Sequence, residues 1–205
     1  MNPVAKAVKR PLLLVISAPS GGGKTTLCDR LLADDRNMVY SVSCTTRAPR
    51  GDEVDGRDYH FLAEQEFSRR LRAGQFMEHA RVHGCQYGTL RKPVLDALRQ
   101  GRDVLMDIDV QGAAQLRQAA MSGRHRLLQE SFVDVFVVPP SMNILRGRLI
   151  RRREDNPAAI ARRLQTAMEE VRRWREYQYL IVNDRLRVAY EQLRAIVNAE
   201  RCRIV

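Results

Sequence analysis

The stretch Ser17-Ala-Pro-Ser-Gly-Gly-Gly-Lys-Thr-Thr26 sets a lysine and two hydroxyls directly behind three glycines. That spacing suits phosphate binding. Successive backbone N–H groups and the positive end of a following helix ring a triphosphate, Lys24 reaches its outer oxygens, and the Thr25 hydroxyl holds Mg²⁺. The usual template begins with glycine, and here Ala18 stands in that place. A residue leaving an extended strand needs no positive φ, while Gly21, Gly22 and Gly23 keep the bend clear of side chains. The donor-side candidates are therefore Ala18, Pro19, Ser20, Gly21, Gly22, Gly23, Lys24, Thr25 and Thr26. Further along, "RDVLMDIDVQGA" is a β-run ending in Asp107 and Asp109. Carboxylates so placed orient a metal through its water shell or cap the next helix, and Asp107 is read as acting on the metal through water.

A second constellation lies between residues 43 and 89. "SVSCTTRAPRGDEVDGRDYHF" gathers Ser43, Arg47, Arg50, Glu53 and Tyr59, and "FMEHARVHGCQYGT" adds Glu78, Tyr87 and Thr89. Guanidinium forks and phenols suit a phosphate monoester. A carboxylate such as Glu78 accepts two N–H bonds from guanine (N1–H and the 2-amino group), which adenine does not offer, and the hydroxyls of Ser43 and Thr89 suit guanine O6. The blander alternative pairs the arginines with Glu53 and buries the tyrosines in a small core.

These groups need a frame to hold them. Apolar runs at Leu12–Ala18, Met38–Ser43, Val104–Asp107, Phe132–Val138 and Tyr179–Val182 alternate with helical patterns at 24–33, 91–100, 110–120, 141–153, 157–175 and 186–199. That alternation predicts an α/β fold with a parallel central sheet. Asn156 and Pro157 read as a helix start, and Ile160, Leu164, Met168, Val171 and Trp174 as its apolar face. The pattern breaks between 44 and 90, where short alternating segments and a helix at 64–73 read as an inserted lobe. The 205 residues fit one domain, with a core at 11–43, 91–140 and 176–205.

Composition narrows the partners. Hydrophobic residues make up 44% and charged residues 29%, and no apolar run approaches a membrane span. The opening "MNPVAKAVKRPLLLVISAPS" is read as a short tail before a buried strand rather than a secretory signal, because its apolar run is too short and leads into the glycines. Cysteines 28, 44, 85 and 202 form no CxxC pair, which fits reduced thiols and a cytoplasmic protein. The net charge of +11 predicts anionic partners. Residues 146–175 hold ten arginines against four acids, yet no aromatic platform accompanies them, so no nucleic-acid partner is expected.

Taken together, the chain resembles the guanylate kinases, through "SAPSGGGKTT", the two acceptor segments above, "LMDIDVQGA", "VVPPS", "RLIRRRED", "IARRL" and "VNDRL", in family order over roughly residues 12 to 197. The resemblance implies a three-layer fold of the P-loop nucleoside monophosphate kinase type, with a mixed GMP-binding lobe at 44–90 and a helical lid at 141–165. It implies ATP on the phosphate loop, and a GMP site of Ser43, Arg47, Arg50, Tyr59, Glu78, Tyr87, Thr89 and Asp109, with Glu53 beside them. Arg148, Arg152 and Arg163 fall among the lid arginines, and Asn183 and Asp184 in the adenine-side turn. Lys24, Arg47, Arg148, Arg152 and Arg163 are then the catalytic cations, Mg²⁺ the cofactor, and ATP and GMP the partners. Two places depart from the family pattern. Arg153 stands where glycine is usual, and residues 117–131 form a longer connection, read as a surface insertion or a contact between copies in a homo-oligomer. A non-catalytic interaction module of the same family and a kinase for another small phosphorylated acceptor remain the alternatives.

Overall fold

The computed structural model describes residues 10–82, 84–151 and 157–204. Its centre is a five-stranded, all-parallel sheet in the order β2-β7-β1-β8-β9. The strands are β1 (Leu13–Ser17), β2 (Met38–Tyr40), β7 (Asp103–Asp107), β8 (Phe132–Val138) and β9 (Tyr179–Val182). β1 is buried along its whole length, as a strand covered on both faces must be. Leu14 and Ile16 pack towards α1 (Lys24–Asp34) and α8 (Leu186–Arg201), meeting Leu27, Leu31 and Leu193. The alternate residues Leu13 and Val15 pack on the other face with Val94 and Leu98 of α3 (Arg91–Arg99) and Leu116 of α4 (Val110–Met121). The period of two along β1 thus builds two apolar layers, one on each face of the sheet.

A second, four-stranded sheet carries β3 (Cys44–Thr45), β4 (His60–Phe61), β5 (Phe76–Val82) and β6 (Cys85–Leu90) in the order β4-β3-β6-β5. It is mixed, since β3 runs parallel to β4 and antiparallel to β6. Its own small core sets Phe67 of α2 (Glu64–Arg72) against Phe76 with ring centroids 4.4 Å apart. At the other side of the phosphate loop, α6 (Met142–Arg151) and α7 (Pro157–Arg172) pack through Leu145, Leu149 and Ala167.

Three details differ from the sequence reading. Residues 126–131, read as part of a long connection, form a short helix, α5 (Arg126–Ser131), which docks Leu128 in the core. The second strand ends at Tyr40 rather than Ser43. Among the described residues of α7 the fully buried one is Ala167, with Leu164 partly buried beside it, whereas Met168 is 46% and, just beyond the helix, Trp174 37% exposed. The helix packs α6 on one side and borders a polar cavity on another, which leaves part of the expected stripe uncovered. Asn156, read as its cap, lies outside the described residues.

One buried ion pair ties the frame together. Arg117 of α4 donates from Nε (2.8 Å) and Nη2 (2.6 Å) to Asp134 of β8, and from Nη1 to Glu176 beyond α7. Asp134 also accepts the Gln178 N–H, and its own N–H donates to the Gln178 side chain. Removing one partner leaves a buried charge uncompensated. Asp134→Ala is expected to cost about 3–5 kcal/mol in urea unfolding, whereas Lys92→Ala, which breaks the exposed pair with Asp96, is expected to leave the unfolding midpoint nearly unchanged.

Candidate active site

The parallel register sets Ile16 of β1 beside Asp107 of β7, so the glycine loop leaves the sheet next to that carboxylate. Each glycine of the loop has a local reason. Gly21 and Gly23 adopt φ of +85° and +89°, where a side chain is strained. A Cβ on Gly22 would lie 2.9 Å from that of Ala18 and 3.0 Å from the Pro19 carbonyl oxygen. Ala18 is thus accommodated because its neighbour across the bend has no side chain. Lys24 opens α1, forms a salt bridge with Asp107 and donates to the Ile108 carbonyl. Burial by itself lowers the Lys24 pKa, but the charge and the hydrogen bond of Asp107 together outweigh it, so the pKa is raised and the ammonium stays charged.

The loop separates two cavities. One, of about 400 Å³, is lined by Gly21, Gly23, Thr26, Arg148, Asn183, Asp184 and Leu186. Asn183 donates from its side chain to the Gly22 carbonyl at 2.9 Å, and Arg148 donates to the Asn183 carbonyl at 2.9 Å. This wall is therefore tied to the loop by direct hydrogen bonds.

The other cavity, of about 580 Å³, lies between the phosphate loop and the second sheet. Ala18, Ser20 and Lys24 form one wall, and Ser43, Arg50, Tyr59, Glu78 and Tyr87 the opposite one. Asp107 and Asp109 contribute the floor, and Arg163, Thr166 and Glu170 come from one face of α7. Glu78 is 4% exposed, and the Thr89 hydroxyl donates to its Oε1 at 2.7 Å. Thr89 in turn pairs with the Ser43 hydroxyl at 3.3 Å. Burial pushes the Glu78 carboxyl up to about 7. Glu170 is also pushed up to about 7, first by burial and then by the charge of Asp109.

Other sequence candidates take less direct places. Arg47 is committed within the lobe, donating to both Glu53 oxygens at 2.9 Å, to the Ala48 carbonyl at 2.7 Å and to the Tyr87 hydroxyl at 3.3 Å. Glu53 is thereby Arg47's partner and borders neither cavity. Thr89 sits behind Glu78. Thr25 is exposed at the start of α1. Asp109 caps α4 through the Gly112 N–H at 2.9 Å while lining the larger cavity. Arg152 and Arg153 lie outside the described residues. The sequence reading passed over Glu170 and Thr166, whose spacing of seven and three from Arg163 would have revealed them once the helix phase was fixed. It also passed over Gln111 and Arg81, both on the larger cavity.

Comparison with known proteins assigns this arrangement of two cavities about a glycine loop to a family. A model of the family described as guanylate kinase matches residues 10–200. The chain belongs to the guanylate kinase family. Guanylate kinase of Chelativorans sp. (strain BNC1) is 45% identical over 98% of this chain and 89% of its own. That of Cereibacter sphaeroides is 47% identical over 95% of this chain and 89% of its own. The crystal structure of guanylate kinase from Anaplasma phagocytophilum superposes with a TM-score of 0.76 at 33% identity, covering 95% of this chain and 88% of that one. The architecture is accordingly a P-loop nucleoside monophosphate kinase fold. Among the described residues no helix is long and apolar enough to cross a membrane.

The buried Glu78 carries a stability consequence within this guanylate kinase fold. Its folded pKa of about 7 exceeds the ordinary 4.5. The protein therefore has the full benefit of a neutral carboxyl below pH 4.5 and loses it as pH rises through about 7. Glu78→Gln is expected to gain up to about 3 kcal/mol relative to the parent between pH 5 and pH 8. Urea unfolding without nucleotide at both pH values measures it.

Proposed function

We propose that this guanylate kinase passes the γ-phosphoryl group of ATP to GMP across its phosphate loop, giving ADP and GDP. The observation that carries the reading is the loop's position as the wall common to both cavities. ATP takes the side of Arg148 and Asn183, with its triphosphate on the loop. GMP takes the other, its phosphate towards Arg50, Tyr59 and Tyr87 and its base towards Glu78, Thr89 and Ser43. An oxygen of the GMP phosphate attacks the γ-phosphorus as the bond to the β-γ bridging oxygen breaks. The nucleophile is already anionic near neutral pH, so no general base is needed.

Charge neutralisation falls to Lys24, Arg47 and Arg163, with Arg148 on the donor phosphates. Arg152 carries its role from the family resemblance. Arg47 takes part by exchanging Glu53 for a phosphate, and Lys24 by swinging from Asp107 to the γ-phosphate. Thr25 and Asp107 offer hard oxygen donors, which fit Mg²⁺ held partly by water and partly by nucleotide phosphates. Such an ion supplies further charge neutralisation when bound. α6 and α7 serve as the lid whose closure excludes water. The four unpaired cysteines support a cytoplasmic setting.

ADP release measured with GMP, AMP, CMP and UMP as acceptors tests the reaction, with GMP expected to be preferred strongly. Lys24→Ala is expected to lower turnover by about 10²–10³-fold or more and to weaken GMP binding much less, because Lys24 serves the transferring group while Arg50, Tyr59 and Tyr87 hold the GMP phosphate. Near-parental turnover would remove Lys24 from the mechanism. Glu78→Gln swaps one acceptor for a donor, so the GMP/AMP ratio of kcat/KM is expected to shrink by at least about tenfold. An unchanged ratio would show that Glu78 does not read the base.

A further inference from the structure

Gly112 occupies the third position of α4, in a buried stretch of helix where glycine is the poorest choice after proline. Its backbone is an ordinary helical one, so no positive φ demands it. Nor does capping, since the Gly112 N–H that Asp109 binds is present in any residue but proline. What the position does demand is space. A Cβ built there would lie 2.3 Å from Glu78 Oε2 and 3.0 Å from its Cδ, against ordinary contacts of 3.4 Å and beyond. The other carboxylate oxygen is held by the Thr89 hydroxyl. The carboxylate is thus fixed between a hydroxyl from β6 and the bare Cα of a helix glycine.

We infer that Gly112 is a specificity-determining residue of the acceptor site, setting the depth and tilt at which the Glu78 carboxylate meets the base edge of the purine monophosphate. The inference rests on the reading of Glu78 as the base-recognition group and extends it to a residue that need not touch substrate. A methyl group here pushes the carboxylate by about 1 Å, a displacement that costs as much as 10²-fold when a hydrogen-bonded geometry must be met. Both guanine N–H bonds depend on that geometry, because two parallel bonds tolerate less tilt than one.

The test is Gly112→Ala, which improves helix propensity and leaves the phosphate loop untouched. Its kcat/KM for GMP is expected to fall by about 10- to 100-fold, mostly through KM, with the KM for ATP unchanged and the GMP/AMP ratio reduced. The partner variants are Glu78→Ala and the double variant Glu78→Ala/Gly112→Ala, followed by thermal melting. With Glu78 truncated the crowding is gone, so adding the methyl group is expected to raise Tm, whereas in the parent it lowers Tm or raises it less. If Gly112→Ala alone does not fold but the double variant does, the steric coupling is established without any assay. GMP kinetics within twofold of the parent, or equal Tm shifts in both backgrounds, would overturn the inference. So would a double variant that fails to fold, since the glycine would then serve packing alone. A parent protein with no preference for GMP over AMP would remove the underlying reading as well, and that result is visible before any variant is made.

Discussion

Everything in the site follows from the parallel pairing of β1 between β7 and β8. Parallel strands deliver all their C-terminal ends to one edge of the sheet, and ligands bind in the crevice outside that edge. Pairing Ile16 with Asp107 brings the loop after β1 against the turn after β7, so a lysine and a carboxylate distant in sequence become neighbours. No side-chain contact could create this juxtaposition if β1 slipped by one residue. Such a slip would also turn the Leu14–Ile16 face towards the wrong helices. The apolar layers therefore enforce the polar geometry.

The electrostatics share one feature across both cavities. Three cations of the site are already engaged within the protein: Lys24 with Asp107, Arg47 with Glu53, Arg148 with backbone carbonyls. Glu78 differs, for it is held by a hydroxyl and has no cationic partner among the described residues. The protein thus engages these three cations and leaves a carboxylate short of donors, the asymmetry on which the proposed reading of a base with two N–H groups rests.

Much of this was legible in the residues alone. The three central strands, β1, β7 and β8, read as continuous apolar runs because both faces are covered, and the glycines with Lys24 announced the loop. Ser43, Glu78 and Thr89, read as one group of candidates though separated by up to 46 positions, are brought together, with the Thr89 hydroxyl bonded to Glu78 as well as to Ser43. Less was legible where local pattern and packing part company. α5 is only six residues long, too short to show a period. The exposed Met168 and Trp174 obey helical spacing, but spacing fixes a stripe and not what lies opposite it. Arg47 illustrates a further limit, since both the ligand-binding and the ion-paired reading fitted its sequence context, and the fold places it with Glu53. Gly112 was invisible because its meaning lies in a neighbour 34 positions away.

The pairing of Arg47 with Glu53 also bears on what happens after the reaction. A guanidinium with no partner in the empty protein would hold a departing phosphate tightly, since release would strand a buried cation. Here a carboxylate waits on the same lobe, at the geometry of a two-pronged bond. In the proposed reaction, Arg47 would trade one anion for another as product leaves, which removes much of the desolvation cost of letting go. The internal partner thus acts as an exchange ligand that weakens ground-state retention and favours dissociation, which suits a catalyst that must empty itself on every cycle.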